Sequence, residues 1–134
     1  NRADFHPESV FDDEIGRYSY PIDIHVARPD KESYEKFEAE FTNMRLGKGE
    51  SYGIPYRILT PKKLDNVLVA GRCVSTDRGM QASIRVMPGC YITGQAAGVA
   101  AALAAEKDRT TREIEVGEVQ KRFLALGAYL PNAR

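Results

Sequence analysis

Residues 64–105 read LDNVLVAGRCVSTDRGMQASIRVMPGCYITGQAAGVAAALAA. The run VLVA at 67–70 is short, apolar and bounded by turn residues, which is typical of a strand covered on both faces of a parallel sheet. An irregular connection follows, and a long helix is predicted over about 87–107, because Pro88 suits a first helical turn. This strand–loop–helix unit predicts an α+β chain with α/β character, in which a helix begins beside the edge of a sheet.

The long predicted helix carries a stripe of very small residues, namely Gly94, Gly98, Ala101 and Ala105. An interior glycine costs about 1 kcal/mol relative to alanine. Two glycines four residues apart therefore call for a compensating contact, and close approach of another backbone would supply it. We expect this face to pack on another polypeptide segment.

The residues upstream of this unit predict four elements. ESVFDDEIGR at 8–17 favours a short helix, and YSYPIDIHV at 18–26 alternates apolar and polar residues as an edge strand does. Residues 28–45 predict an amphipathic helix with an aromatic stripe, which is typical of a docking face. YGIPYRILTP at 52–61 predicts a second strand.

Downstream, TTRE at 110–113 has the form of a capping box. Residues 116–126 predict an amphipathic helix that Gly127 stops, with an inward face formed by Val116, Val119, Phe123 and Leu126. Three strands cannot build a sheet buried on both faces, and the strand at 67–70 calls for parallel neighbours. We therefore expect the chain to be one part of a larger protein.

Composition restricts the function classes. The 134 residues contain nineteen acidic and nineteen basic side chains, so no overall field favours nucleic acid or an anionic membrane. The most apolar stretch, at 86–105, consists largely of alanine and glycine, which favours a buried helix over a membrane span. Two cysteines form no disulfide framework and favour a reducing compartment such as the cytoplasm.

No GxGxxG, phosphate-binding loop, metal-ligand cluster or Ser-His-Asp arrangement is present in the sequence. The chemical signal is geometric. A strand that ends at Gly71 and a helix that begins near Met87 bring helix N–H groups, and the positive end of the helix dipole, to the carboxyl edge of a sheet. Ligands bind there in α/β folds.

VLVAGRCVS, SIRVMPGC and GQAAGVAAALA, in this order and spacing, resemble the C-terminal signature of FAD-dependent oxidoreductases of the two-domain flavoprotein class. YPIDIH and YGIPYR resemble strands on the substrate side of the same family. The resemblance covers about residues 11–130, apart from a helical insertion at 29–45. It implies a substrate-side β segment at 1–61, and at 62–134 the last strand and C-terminal helices of an FAD-binding, Rossmann-like domain.

The resemblance also implies cofactor contacts. Gly71 and Arg72 correspond to residues that approach the ribityl chain of FAD, and Arg85, Val86 and Met87 to residues beside the isoalloxazine ring. The glycine stripe would then pack on the dinucleotide-binding unit. Because the GxGxxG that holds the FAD pyrophosphate is absent from this sequence, the resemblance implies that this chain alone binds FAD poorly or not at all.

Several of these residues also have a purely structural interpretation. Asp23 and His25 share one face of their predicted strand. The functional interpretation makes them polar groups on the substrate side, with His25 as a proton donor or acceptor. The structural interpretation makes them an ordinary solvent-facing pair. For Arg72, the functional interpretation is neutralisation of flavin or substrate charge, and the structural interpretation is an ion pair with Asp77. Cys90, within the helix, is more typical of a small apolar residue than of a redox group.

The sequence thus predicts a fragment of an FAD-dependent oxidoreductase that transfers hydride between a small organic substrate and flavin, and that is inactive on its own. Its expected partner is the N-terminal FAD-binding half of the same protein, with no metal, nucleic acid or membrane. The alternative is a non-catalytic interaction module whose small-residue helix packs on a partner protein. What covers Gly94 and Gly98 distinguishes the two.

Overall fold

The computed structural model describes residues 1–25, 30–41 and 44–133, and it has the predicted α+β class. Strand β1 pairs antiparallel with strand β2, and four α-helices accompany this two-stranded sheet. The elements are β1 (Glu14–Tyr18), α1 (Lys31–Phe41), β2 (Tyr52–Pro55), α2 (Arg78–Ile84), α3 (Met87–Lys107) and α4 (Val116–Ala125), with short 3-10 helices at Arg2–Asp4, Tyr56–Leu59 and Gly71–Cys73.

β1 occupies the region where the sequence predicted a helix at 8–17, so that prediction is wrong. Tyr18 pairs with Tyr52 and Gly16 with Ile54, and a bulge lies between Glu14 and Gly16. The pairing buries Gly16 so closely on α3 that an added Cβ would lie 2.5 Å from Cγ2 of Ile92. These distant contacts determine the backbone here, and they override the local helical pattern.

A buried polar group ties β1 to its surroundings. Glu14 is only 1% exposed, and its Oε2 accepts a hydrogen bond from Nη1 of Arg17 at 3.1 Å. Burial raises the pKa of the Glu14 carboxyl, and the nearby Arg17 charge opposes that rise. Nε2 of Gln120 on α4 donates to the backbone carbonyls of Glu14 and Asp12, each at 2.9 Å. Acidic residues that the helix prediction assigned to a polar face are therefore partly internal.

α3 confirms the predicted helix over 87–107, including a proline in its first turn. Ala96, Ala100, Leu103 and Ala104 of α3 are buried against the sheet and against α4. The same hydrophobic cluster includes Tyr52 and Leu59 from the first half of the chain. The boundary proposed at 61/62 thus crosses a shared core, and the two-segment division stays a prediction.

The strand predicted at 67–70 is not a strand among the described residues. Leu68 and Val69 are half-buried and Val67 is exposed, and the segment bonds to Leu59, whose carbonyl accepts from the Val69 N–H at 2.8 Å. The apolar pattern indicated burial on both faces, but no described strand lies beside this segment to form a ladder with it.

The other two strand predictions are correct only in part. The prediction at 52–61 holds for β2, after which the chain turns into the 3-10 helix Tyr56–Leu59. Of the strand predicted at 18–26, only Tyr18 lies in a strand, and 19–25 has no regular structure. Ile22 and Ile24 are nevertheless buried as the alternation predicted, because they form a small apolar cluster with Ala82. Val26 lies outside the described residues.

The helix predictions at 28–45 and 116–126 are confirmed over shorter ranges. Asp30 caps α1 through the Ser33 N–H at 2.8 Å, and Tyr34 of the aromatic stripe is exposed. The side chains of Phe37 and Phe41 lie outside the described residues. In α4, Val119 and Phe123 are buried as predicted, whereas Leu126 is 65% exposed because the helix ends before it.

Residues 75–83 were expected to be irregular, and most of them form α2 instead. Oδ1 of Asp77 accepts from the Met80 N–H at 2.9 Å, which caps the helix. α2 and α3 are separated by only Arg85 and Val86 and meet at 93°. This sharp junction brings the start of α3 next to the loop at 70–73.

Candidate functional site

The loop that contains Gly71 is attached to the first turns of α3. The Gly71 N–H donates to Oγ1 of Thr93 at 3.0 Å, and Thr93 is fully buried. The same hydroxyl donates to the Gly89 carbonyl one turn earlier, also at 3.0 Å. A single buried threonine therefore fixes the distance between this loop and the beginning of the helix.

Gly71 has a left-handed backbone, with φ of +64°. A side chain is disfavoured there whatever space surrounds it, which explains the glycine. An added Cβ would lie 3.7 Å from Sγ of Cys90, an ordinary contact. The surroundings described in the chain would accept a side chain, so the constraint within the chain comes from the backbone angle.

Arg72 joins this loop to the α2–α3 junction. Its Nε donates to the Arg85 carbonyl at 3.3 Å, and its own carbonyl accepts from Nε2 of Gln81 at 2.9 Å. The ion pair considered between Arg72 and Asp77 is not among the described contacts, because Asp77 accepts backbone N–H groups at the start of α2 instead. The Arg72 side chain is exposed at the surface of the corner.

The first turn of α3 presents its N-terminal end without a side-chain cap. Val86 occupies the cap position, where its apolar side chain accepts no hydrogen bond from the helix N–H groups, and Met87 is 67% exposed. Uncapped N–H groups and the positive end of the helix dipole favour negative charge at this point. Cys90 is half-buried, and its Sγ donates to the Arg85 carbonyl at 3.4 Å.

Arg85 connects this corner to the residues predicted on the substrate side. Its Nη2 donates to the Asp23 carbonyl at 3.1 Å and lies 3.8 Å from Oδ2 of the same residue. Nε2 of His25 lies 3.6 Å from that same Oδ2. Nε of Arg85 is buried and has no partner among the described residues.

An open surface hollow of about 290 Å³ lies beside Arg85. We call it the arginine hollow. It is lined by Asp23, Ile24, His25, Arg78, Gln81, Ala82 and Arg85. Three of these residues, Arg78, Gln81 and Ala82, lie on α2 and were not predicted as site residues. The signal that could have found them is Asp77, an N-cap residue ahead of a run that is apolar on one side.

A model of the FAD dependent oxidoreductase family matches residues 1–123. The chain belongs to the FAD dependent oxidoreductase family. Searches of curated proteins and of solved structures gave no match. Family membership confirms the resemblance to FAD-dependent oxidoreductases, and the family's description names FAD as its cofactor.

The structure of this FAD dependent oxidoreductase chain brings the sequence-predicted site residues into two adjacent groups. Gly71 and Arg72 lie beside the segment that contains Arg85, Val86 and Met87, and Arg85 in turn contacts Asp23, which neighbours His25. All seven therefore surround one corner of the chain. Their roles toward cofactor and substrate stay predictions.

Two further features of the described residues concern metal binding and membrane insertion. Within 1–25, 30–41 and 44–133, no three His, Cys, Asp or Glu side chains lie close enough to hold a metal ion. In the same part of the chain, no single helix is long and apolar enough to cross a membrane, although α2 and α3 together have sufficient length and apolar composition.

Proposed function

We propose that this chain is the C-terminal part of an FAD-dependent oxidoreductase, and that its corner at 71–72 and 85–87 lies against the flavin of FAD. Family membership supports the cofactor. The observation that carries the placement is the Gly71–Thr93 hydrogen bond of 3.0 Å, since it holds the glycine of this loop beside an uncapped helix start. The two segments assigned to the flavin by resemblance are neighbours in space, joined by the Arg72–Arg85 contact.

The residues present suit the flavin end of FAD. The helix start provides positive potential for an electron-rich ring, the Arg72 guanidinium extends that potential, and Gly71 leaves the loop open to close approach. The pyrophosphate calls for a glycine-rich loop at a different helix start. We assign that loop to the N-terminal half of the same protein, so this chain alone is expected to be inactive.

The exposed face of α3 supports a partner segment. Gly94 and Gly98 are exposed, and an added Cβ at either position has no atom within 4 Å. Ala101 and Ala105 continue the face and are also exposed. The two glycines inside the helix lower the stability of the chain relative to alanine. Close packing of the FAD-binding half on this face would offset that loss.

When bound, FAD supplies the hydride acceptor or donor for an organic substrate. The chain's own residues position the reactants around it. Arg85 holds the Asp23 backbone through a 3.1 Å hydrogen bond, and Nε2 of His25 lies 3.6 Å from Oδ2 of Asp23. The His25 side chain is 79% exposed, so its imidazole is accessible for proton exchange with a substrate hydroxyl, amine or carbonyl oxygen.

A non-catalytic interaction module is the competing function, because the same exposed face of α3 would serve it equally well. The genomic reading frame distinguishes the two. The oxidoreductase proposal requires upstream codons for a GxGxxG that follows a predicted strand. A start codon directly before Asn1 would contradict it.

The biochemical test is the absorption spectrum of the intact purified protein. We expect the visible bands of oxidised flavin, and bleaching of those bands when a reducing substrate is added without oxygen. A protein that has the upstream GxGxxG and is purified without flavin, and that takes up none from added FAD, would overturn the proposal.

A further inference from the structure

We infer that the arginine hollow binds the carboxylate of a small organic substrate whose apolar part rests on the floor of the hollow. This inference rests on the proposed function, since it names the substrate class for the same corner. It concerns residues to which neither family membership nor the resemblance assigns a role, chiefly Arg78 and the floor of the hollow.

The hollow has an excess of positive charge. Arg78 and Arg85 line it, and among the described residues Asp23 is the only acidic one in its lining. Arg78 is exposed and has no ion-pair or hydrogen-bond partner among the described residues. The nearby carboxylate of Asp77 is engaged elsewhere, by the N–H groups of Arg2 and Met80 at 2.6 and 2.9 Å.

Arg85 has unused hydrogen-bonding capacity at the same place. Its Nη2 is directed to Asp23, but its Nε is buried without an acceptor in the described chain. The Arg85 side chain as a whole is 37% exposed, so a ligand in the hollow can reach its guanidinium group. Guanidinium groups match the planar geometry of a carboxylate, so the two arginines favour this ligand class.

The floor of the hollow is apolar. Ile24 is 9% exposed and Ala82 is 6% exposed, and they belong to one buried cluster. Gln81 forms a fixed wall, because its Oε1 accepts from Oγ1 of Thr76 at 2.7 Å and its Nε2 donates to the Arg72 carbonyl. A ligand with an anionic head and a short apolar body therefore fits better than a bare inorganic anion.

The position of the hollow connects this ligand to the chemistry. Arg85 lines the hollow, and its carbonyl accepts a hydrogen bond from Nε of Arg72. Both residues belong to the corner at 71–72 and 85–87 that we propose to lie against the flavin, which we call the proposed flavin wall. His25 lies on the rim of the same hollow. A substrate anchored there by its carboxylate would have its remaining atoms beside both the proposed flavin wall and a proton-exchanging side chain.

The test is an NMR titration of the purified chain, observing the Nε–Hε signals of its arginines. Butyrate is the probe and butyramide is its neutral match in shape. We expect butyrate to shift the Arg78 and Arg85 signals, and butyramide to shift neither. Arg78→Gln should weaken butyrate binding about tenfold, because a charge-assisted hydrogen bond is lost.

Arg122→Gln is the matched control, since Arg122 is an exposed arginine on α4 paired with Glu106 at 2.9 Å. It should leave butyrate affinity unchanged. Arg85→Gln should also weaken binding, and Arg78→Gln keeps the test valid if that variant fails to fold. Equal shifts by butyrate and butyramide, or unchanged affinity in Arg78→Gln, would overturn the inference.

Inorganic phosphate tests the apolar floor. Phosphate that binds as tightly as butyrate would show that the hollow selects charge alone, and this would overturn the assignment to an organic carboxylate. The titration needs no flavin, so its failure is distinct from failure of the proposed function. If the intact protein shows a flavin spectrum but carboxylate does not bind, only the inference about the hollow is rejected. If carboxylate binds but the intact protein, with its upstream GxGxxG, takes up no flavin, only the cofactor proposal is rejected.

Discussion

Three glycines on α3 give opposite predictions for the same substitution. Gly94→Ala and Gly98→Ala place a methyl group in open space on the exposed face, where nothing lies within 4 Å. Each should stabilise the chain by about 1 kcal/mol, the difference between alanine and glycine inside a helix. The double variant should therefore gain about 2 kcal/mol, because the added methyls contact no shared neighbour.

Gly89→Ala is the matched control within the same helix. Its Cβ would overlap the Ile84 carbonyl oxygen, a backbone atom that cannot rotate away. We expect a loss of about 2 kcal/mol, as for other overpacked sites. Urea unfolding with an unchanged slope measures all three variants. If Gly94→Ala or Gly98→Ala lowered the free energy of unfolding, the conclusion that this face of α3 is open within the chain would be refuted.

The double variant also tests the partner that we propose for this face. In the intact protein, the two added methyls would hold the FAD-binding half away from α3. Flavin retention should then fall, although the chain itself becomes more stable. Unchanged flavin retention together with increased stability would show that the FAD-binding half does not pack on this face.

Two further predictions concern single hydrogen bonds. Thr93→Val should lower the free energy of unfolding by about 1–3 kcal/mol, because it leaves the Gly71 N–H without its acceptor. Thr93→Ser keeps the hydroxyl and should cost only about 1 kcal/mol for the lost methyl group. Equal free energies of unfolding for the two variants would contradict this prediction. Asp77→Ala should cost about 1 kcal/mol through loss of the α2 cap. Burial tends to raise the pKa of Asp77, but the N–H groups of Met80 and Arg2 hold it below the usual 3.8. The stability that Asp77 contributes is therefore present above pH 3.8 and lost as pH falls through its folded pKa, so the difference between the native chain and Asp77→Ala should vanish in acid and persist at neutral pH.

Local signals were sufficient to predict α3 and most of α4. A proline at the helix start, a run of strong helix formers and a closing glycine all act within a few residues. β1 could not be found in this way, because the burial of Glu14 depends on Arg17 and on pairing with β2, more than thirty residues away. The run at 67–70 has the composition of a buried strand, but composition does not show whether a neighbouring strand is present to pair with it.

The candidate site was predictable only through the family resemblance. That resemblance located Gly71, Arg72 and Arg85, while the hydrogen bond from Arg85 to Asp23 joins residues 62 positions apart and has no local signal. Arg78 was missed because α2 is short and contains Gly79, which weakens a helical pattern. Gly79 is buried there, and an added Cβ would lie 3.1 Å from Cβ of Arg2, a packing reason for glycine that the sequence alone does not show.

The placement of flavin against the Gly71 loop is tested most directly by Gly71→Leu in the intact protein, with Gly127→Leu as control. Both glycines have left-handed backbones, with φ of +64° and +82°, so each leucine should cost about 1–2 kcal/mol. We predict that only Gly71→Leu loses the visible flavin absorbance, while the two variants keep the same circular dichroism. Retention of the yellow cofactor by folded Gly71→Leu would contradict the account.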